Sequence, residues 1–465
     1  TTDDPIQGNN TASLSYEIAT APVQHLDYLV FPRSMGSSTS NSGNEFIGVA
    51  VTNTSEVSGD VQFRGLSLAG EETEQASLSD LEDRALAGKQ QLARTTEEIV
   101  SSPNTVVVTA QPTAGELKGF FLVGSSNLTV LDGVAASPTG FGTQFFPLIQ
   151  TSTVTDTRFF VFNPTDGTVE VGLELLDSNG ETFGTQNLTI AAQGSTVQST
   201  KDLFNVVPFD GYMRLTSEAH LLGFELLSNG QGFGALRGLA PLETNRLFAP
   251  HAVASSQDSA QLRLLNAGSE SIRAVVQVFD SLGNPAGTAQ AEIKPGELFR
   301  REVVQIVQID PGQLFTGYLM VDLTPVDETS TLTPKALGSL TFQTKGGQTV
   351  AALPLLVEGR NLNRFFHAAQ SYDWGIFTGL AILNLEDEAA AVTIRLYNPS
   401  GEVVAEIAKE IQPGHKIAQL LSEILEEPEI EALGGHFEVE SDRPVVCFAL
   451  FGDMTQQYLA AIEAQ

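Results

Sequence analysis

Histidine, cysteine and paired carboxylates are the side chains to search first for chemistry. The chain has six histidines, His25, His220, His251, His367, His415 and His436, and no two stand at the HxH or HExxH spacing that sets a pair of imidazoles on one face for zinc. His251 and His367 occupy similar places, just after Phe248-Ala-Pro250 and after Phe365-Phe366, which points to a structural role near a joint. The single cysteine, Cys447, removes intrachain disulfides, CxxC zinc sites and iron–sulfur clusters. Gly-x-Ser-x-Gly and the Walker Gly-Lys-Ser/Thr are absent, and Gly230-Gln-Gly232-Phe-Gly234 stands in no βαβ context, so it reads as a loop. The acidic turn Asp177-Ser-Asn-Gly-Glu181 lacks the alternating ligands of a dedicated calcium site. No cofactor, no metal and no enzymatic activity are expected.

The remaining chemistry is that of binding. The one tryptophan, Trp374, lies in Gln370-Ser-Tyr372-Asp-Trp374-Gly, where Tyr372 and Trp374 are the candidate ligand-contacting pair, against the plainer reading of a satellite apolar cluster packed beneath a loop. Four Asn-x-Ser/Thr sequons, at Asn9, Asn53, Asn127 and Asn187, are candidate glycan acceptors. With 24 Lys+Arg against 56 Asp+Glu, the net charge of −32 repels phosphate, which argues against nucleic acid and anionic membranes as partners. No run reaches the roughly 18 apolar residues of a spanning helix, so no membrane insertion is expected. A first residue Thr1, few lysines and the sequons point to a processed chain that is secreted, extracellular or at the cell surface.

The elements that carry these residues are repeated. Four alternating apolar runs end in Asn53, Asn163, Asn266 and Asn384, spaced 110, 103 and 118 residues apart, and a glycine follows each by 17 residues, at Gly70, Gly180, Gly283 and Gly401. Each glycine closes a β-patterned run, as in Asp177-Ser-Asn-Gly180 and Asp280-Ser-Leu-Gly283, where a tight hairpin needs φ > 0. A second glycine, Gly88, Gly194, Gly296 or Gly414, then precedes a short helix-like piece reaching Ile99, Leu203, Ile306 or Ile424. The units end on matching strands, Leu131-Asp-Gly-Val-Ala, Leu236-Arg-Gly-Leu-Ala, Val350-Ala-Ala-Leu-Pro and Leu459-Ala-Ala-Ile. Ser79-Asp-Leu-Glu82 alone reads as a capping box, but aligned with the other units it is expected to be strand and turn.

Seven or eight short strands per unit, with turns every 8–12 residues, predict an all-β chain of four tandem antiparallel β-sandwich domains, each with a short helical turn. The expected divisions are an N-terminal arm, 1–24, and repeats at 25–139, 140–243, 244–360 and 361–465. Short junctions predict abutting domains in a semi-rigid rod or curved chain, each folded around its own interior. In the arm, Leu14, Tyr16 and Ile18 alternate with polar residues, a strand either completing the first domain or donated to a neighbouring molecule.

The unit, with its Asn-ended strand, Asp-x-x-Gly turn and Pro-Gly, resembles the tandem β-sandwich (Ig-like) repeats of bacterial secreted and cell-surface proteins, including adhesin-like and filament-forming ones. The reading that follows is a secreted structural protein, its main partner itself, assembling head to tail into a filament or surface layer. The alternative is a monomeric adhesin or glycan-binding protein whose partners are cell-surface glycans.

Overall fold

The computed structural model describes residues 24–36, 45–126, 130–229, 232–255, 258–308, 313–344, 349–427, 430–454 and 458–465. The expected arm strand of Leu14, Tyr16 and Ile18, and the sequons at Asn9 and Asn127, lie outside them. The chain is all-β, and among the described residues every pairing between strands is antiparallel. In the first unit two four-stranded sheets form. One joins Leu29–Pro32, Val107–Pro112, Val61–Leu66 and Glu72–Ser77, and the other joins Gln91–Thr95, Glu45–Asn53, Leu117–Ser125 and Leu131–Ala136. In the second and fourth units one long strand, Phe209–Ser228 or His436–Asp453, runs through both halves and links them into one sheet.

The repeated asparagine is the clamp of each unit. Asn53, Asn163, Asn266 and Asn384 are at most 1% exposed, so their amides must find partners inside the protein. Each Nδ2 donates to the carbonyl four residues on, Val57, Gly167, Glu270 or Glu388, at 2.7–2.8 Å, and to a carbonyl at the end of the hairpin, Leu86, Ala191, Ile293 or Ile411, at 2.8–2.9 Å. Each Oδ1 accepts the N–H two residues on, from Ser55, Thr165, Gly268 or Glu386. One side chain thus ties the end of its strand to the return of the hairpin. It also corrects the glycan assignment at Asn53, whose amide is committed to the interior, whereas Asn187 is exposed.

Gly70, Gly180, Gly283 and Gly401 adopt φ of 77–82°, as their hairpins require. The second left-handed position is occupied by Gly296 and Gly414 in the last two units but by Lys89 and Gln193 in the first two, one residue from the glycines that align. Lys89 lies 36 residues after its asparagine, against 30 for Gln193, Gly296 and Gly414. The additional residues coil into a helix, Leu78–Glu82, capped by the Ser77 hydroxyl on the N–H of Asp80. The expectation of strand and turn there is therefore corrected: local capping decides the segment, because an insertion has no partner strand to pair with. One-turn helices follow at Thr96–Ile99, Thr200–Phe204 and Leu421–Ile424, with a 3-10 turn at Val303–Gln305.

The units do not form a rod. The hairpin turn of each docks on the left-handed turn of the next: Ser195 N–H donates to Leu68 O at 3.0 Å, Leu298 to Ser178 at 2.9 Å and Lys416 to Ser281 at 2.9 Å. The fourth joint returns to the start, where Gln91 N–H donates to Pro399 O at 3.0 Å, and the ring closes. Tyr212 and Tyr318 reinforce two joints by donating to Gly296 O at 2.7 Å and Gly414 O at 3.0 Å. The interiors are not separate either. Phe160, Phe224 and Phe233 of the second unit pack into the core of the first, Ala381 and Phe448 of the fourth into that of the third, and Phe120 and Leu131 of the first into that of the fourth. Burying each such phenylalanine or leucine contributes about 1.5–3 kcal/mol, more than a single joint hydrogen bond, so apolar burial drives closure and the turns set its register.

The closing strands Leu131–Ala136, Phe233–Arg237, Thr349–Pro354 and Leu459–Glu463 pack side by side around the axis. There the Asp132 carboxylate, fully buried, accepts one backbone N–H from every unit: Gly133 at 2.8 Å, Ala235 at 2.6 Å, Ala352 at 3.2 Å and Ala461 at 2.9 Å. The residues before the donors Ala235, Ala352 and Ala461 are Gly234, Ala351 and Ala460, small residues that leave the axis to one side chain; in the second unit this corrects the match of Leu131 with Leu236, which set Arg237 against Asp132, by three residues.

Candidate functional site

Tyr372 and Trp374 stand in a tight turn between Ser371 and Ile376, whose backbones exchange hydrogen bonds at 2.8 and 3.0 Å. The turn is fastened from several sides. Tyr372 N–H donates to the Glu431 carboxylate at 3.0 Å, Trp374 N–H to Ser371 Oγ at 3.2 Å, and Met454 N–H to Gly375 O at 2.8 Å. Gly375 takes φ 62°, which lets the chain reverse directly after the tryptophan. The two aromatic side chains are 79% and 73% exposed, with Asp373 exposed between them and the exposed Met454 alongside. A satellite apolar cluster beneath a loop would have buried them; here a held backbone presents them to solvent instead. Two rings and a carboxylate on a fixed turn suit stacking on the C–H faces of a polyol and accepting its hydroxyls. Sequence reading located the aromatics but not their anchors Glu431 and Met454, which lie 59 and 80 residues beyond Tyr372 and Trp374 and reach the turn only through folding.

The other candidates are dispersed. His25 is exposed, while His251, His367 and His436 lie at the joints of the fourth unit. Among the described residues no group of three or more His, Cys, Asp or Glu is placed to hold a metal ion. In the acidic turn, Asp177 Oδ1 accepts the N–H groups of Asn179 and Glu181 at 2.9 Å, so the carboxylate braces its own hairpin. Asp280 does the same for Leu282 and Asn284.

At the joint between third and fourth units, Lys416 is only 6% exposed and its Nζ lies 3.1 Å from His251 Nδ1 while donating to Gly317 O. Burial pulls the Lys416 ammonium down to about 7, and burial together with Lys416 holds His251 well below the usual imidazole range. A small cavity beside them is lined by His251, Phe448, Cys447 and Glu463, and burial pushes the Cys447 thiol far up, leaving it an unreactive apolar group. At the joint between fourth and first units, Gln91 spans the gap, donating to Phe366 O at 3.0 Å and accepting the N–H of Gly435 at 2.8 Å. Glu438 there receives Lys89 at 3.1 Å, Arg364 at 2.7 Å and the Tyr397 hydroxyl at 3.1 Å; burial pushes its carboxyl up, but Arg364 and Lys89 together hold it below the ordinary value.

Among the described residues, no helix is long and apolar enough to cross a membrane. No family model matches the chain, and no curated protein matches it. Among solved structures it is similar to one titled "Structure of Glycoside Hydrolase family 32 from Bifidobacterium adolescentis", at 10% identity over 93% of this chain and 99% of that one, with a TM-score of 0.15. The expectation of a chain without enzymatic activity is withdrawn, and a likeness this slight gives the chain neither a fold nor an activity.

Proposed function

We propose that the chain is a secreted or cell-surface binding protein, a closed ring of four Ig-like β-sandwich units that presents the Tyr372–Trp374 turn to a glycan. The observation that carries this reading is the exposure of both rings, 79% and 73%, on a turn whose backbone is held by Glu431 and Ser371. Holding the turn in advance lowers the ordering cost of binding. The acidic surface favours a neutral or cationic sugar over a sulfated or phosphorylated one.

The test uses the chain's single tryptophan as the reporter. Titration with neutral oligosaccharides should shift and quench Trp374 emission, and Tyr372→Ala should weaken the response about tenfold. Unchanged emission across a panel of neutral and amino sugars would remove this reading.

Assembly into a filament or surface layer is the second reading, and one observation favours it. Among the described residues the outer strands Thr182–Ile190 and Val403–Ile411 each pair on one side only, so their free edges can take a strand from another molecule. Ring closure spends the head-to-tail contacts within the chain, so such assembly would proceed through these edges.

A further inference from the structure

Two successive joints of the ring contain the same arrangement. His251 of the third unit packs against Phe342 of its own unit and Phe448 of the fourth, with ring centroids 6.0 and 5.6 Å away, beside the contact those two phenyl rings make with each other at 6.0 Å. His367 of the fourth unit lies between Phe451 of its own unit and Phe120 of the first, at 4.4 and 5.8 Å. The correspondence extends to the backbone. Phe248 and Leu356 exchange N–H···O bonds three residues before His251, and Arg364 and Gln465 do so three residues before His367. Phe145 and Leu239 do so three residues before Leu148, so the joint between second and third units carries a leucine at this place, packed on Leu227, Leu236 and Ala352. The two joints that flank the fourth unit thus each hold an imidazole against one phenyl ring from either side of the joint.

We propose that the fourth unit is an acid-released gate: protonation of His251 and His367 parts its two joints and opens the ring, while the unit keeps its own sheet. Burial at these places penalises an imidazolium, and the attraction of a cation to the phenyl faces offsets only part of that cost. His367 Nε2 is buried with no hydrogen-bond partner, so an added proton there finds no acceptor. His251 Nδ1 faces the Lys416 ammonium, so its protonation places two cations 3.1 Å apart. The remaining ionisable groups around His251 are Glu463, already held by Arg237 at 3.1 Å, and Cys447, which line the same cavity. Burial alone lowers His367, to about 4, with no charged group contributing. A third imidazole, His436, shares the joint with the first unit, stacked on Tyr397 at 4.6 Å and facing Glu438, Lys89 and Arg364; its Nδ1 is also buried without a partner. Each joint therefore favours the neutral imidazole, and by linkage each weakens as pH falls below about 6.5, the ordinary imidazole value.

The experiment is small-angle scattering of the full chain between pH 7.5 and 4, with far-UV circular dichroism on the same samples. The expected result is a reversible increase in radius of gyration below about pH 6 with strand content retained. The double variant His251→Leu/His367→Leu, which borrows the leucine of the second joint, should shift that transition about one pH unit lower. Identical midpoints in wild type and double variant, or no expansion above pH 4, would overturn the proposal. Should the double variant fail to fold, histidine NMR of the wild type decides: His251 and His367 should stay neutral until the radius grows, and their titration near pH 6.5 in a closed ring would overturn it equally.

Discussion

The carboxylate of Asp132 accepts the backbone N–H of Ala461 at 2.9 Å, although the two residues are 329 positions apart. Ala461 is one of four equivalent N–H groups, one per unit, that converge on this side chain at the ring axis. Four strands carrying small residues leave four donors pointing at a common centre, and one carboxylate satisfies them all. Burial pushes the Asp132 carboxyl well up, whereas the four N–H bonds oppose that rise because they favour the ionised form.

Asp132→Ala should therefore cost on the order of 4 kcal/mol, because it strands four buried donors around a void. Formate, small enough for the void and an acceptor, should restore part of the loss at tens of millimolar. Urea unfolding with formate or chloride measures both effects, and equal midpoints for variant and wild type would mean that the axis is not where closure is secured.

At the joint between third and fourth units Gly283 has φ 77°, and a Cβ there would meet Gly414 O at 2.8 Å. Gly283→Val should lose roughly 2–4 kcal/mol, about 1–2 of it from the left-handed backbone and the rest from pushing the neighbouring turn away. Gly167→Ala is the control, since nothing lies within 4 Å of a Cβ at that position and its φ is not left-handed. Thermal melts of the two variants should differ by several degrees.

Lys416 sets the alkaline side of the stability curve. Its ammonium is pulled down to about 7 in the folded chain, against about 10.4 when unfolded, so between these values the unfolded state binds the extra proton. Stability then rises with pH across that window, with a slope approaching about 1.4 kcal/mol per pH unit, and falls away as pH drops towards 7. Lys416→Met should flatten the slope. Urea unfolding of both proteins at pH 7, 8 and 9 gives it directly, and parallel curves would show that the amine is solvated in the folded state.

Much of the local structure was legible in the residues. An asparagine that ends an apolar run and a glycine 17 positions on recur because a buried amide and a left-handed turn each accept few residue types. The aromatic turn could be singled out as well, but not its exposure: the residues fit equally an apolar cluster buried beneath the loop, and only the folded backbone turns both rings to solvent. A helix near Leu78–Glu82 was suggested by Ser79 and Glu82, although Ser77 is the residue that caps it, and the suggestion was lost when the repeat pattern was given precedence.

What the residues alone did not decide is how the units meet. Docking Ser281 O on Lys416 N–H and Pro399 O on Gln91 N–H uses backbone atoms that every residue has, so no side-chain pattern records that the fourth unit returns to the first. Asp132 and the histidines of the two joints are single residues whose partners lie in other units, and their meaning exists only once the ring places those partners around them. Sequence by itself determined an all-β chain with a repeated clamp and turn, because those depend on contacts near along the chain. The tertiary structure decided closure, the axial carboxylate and the imidazole joints, because these are long-range contacts set by the angle at which one unit's turn seats on the next.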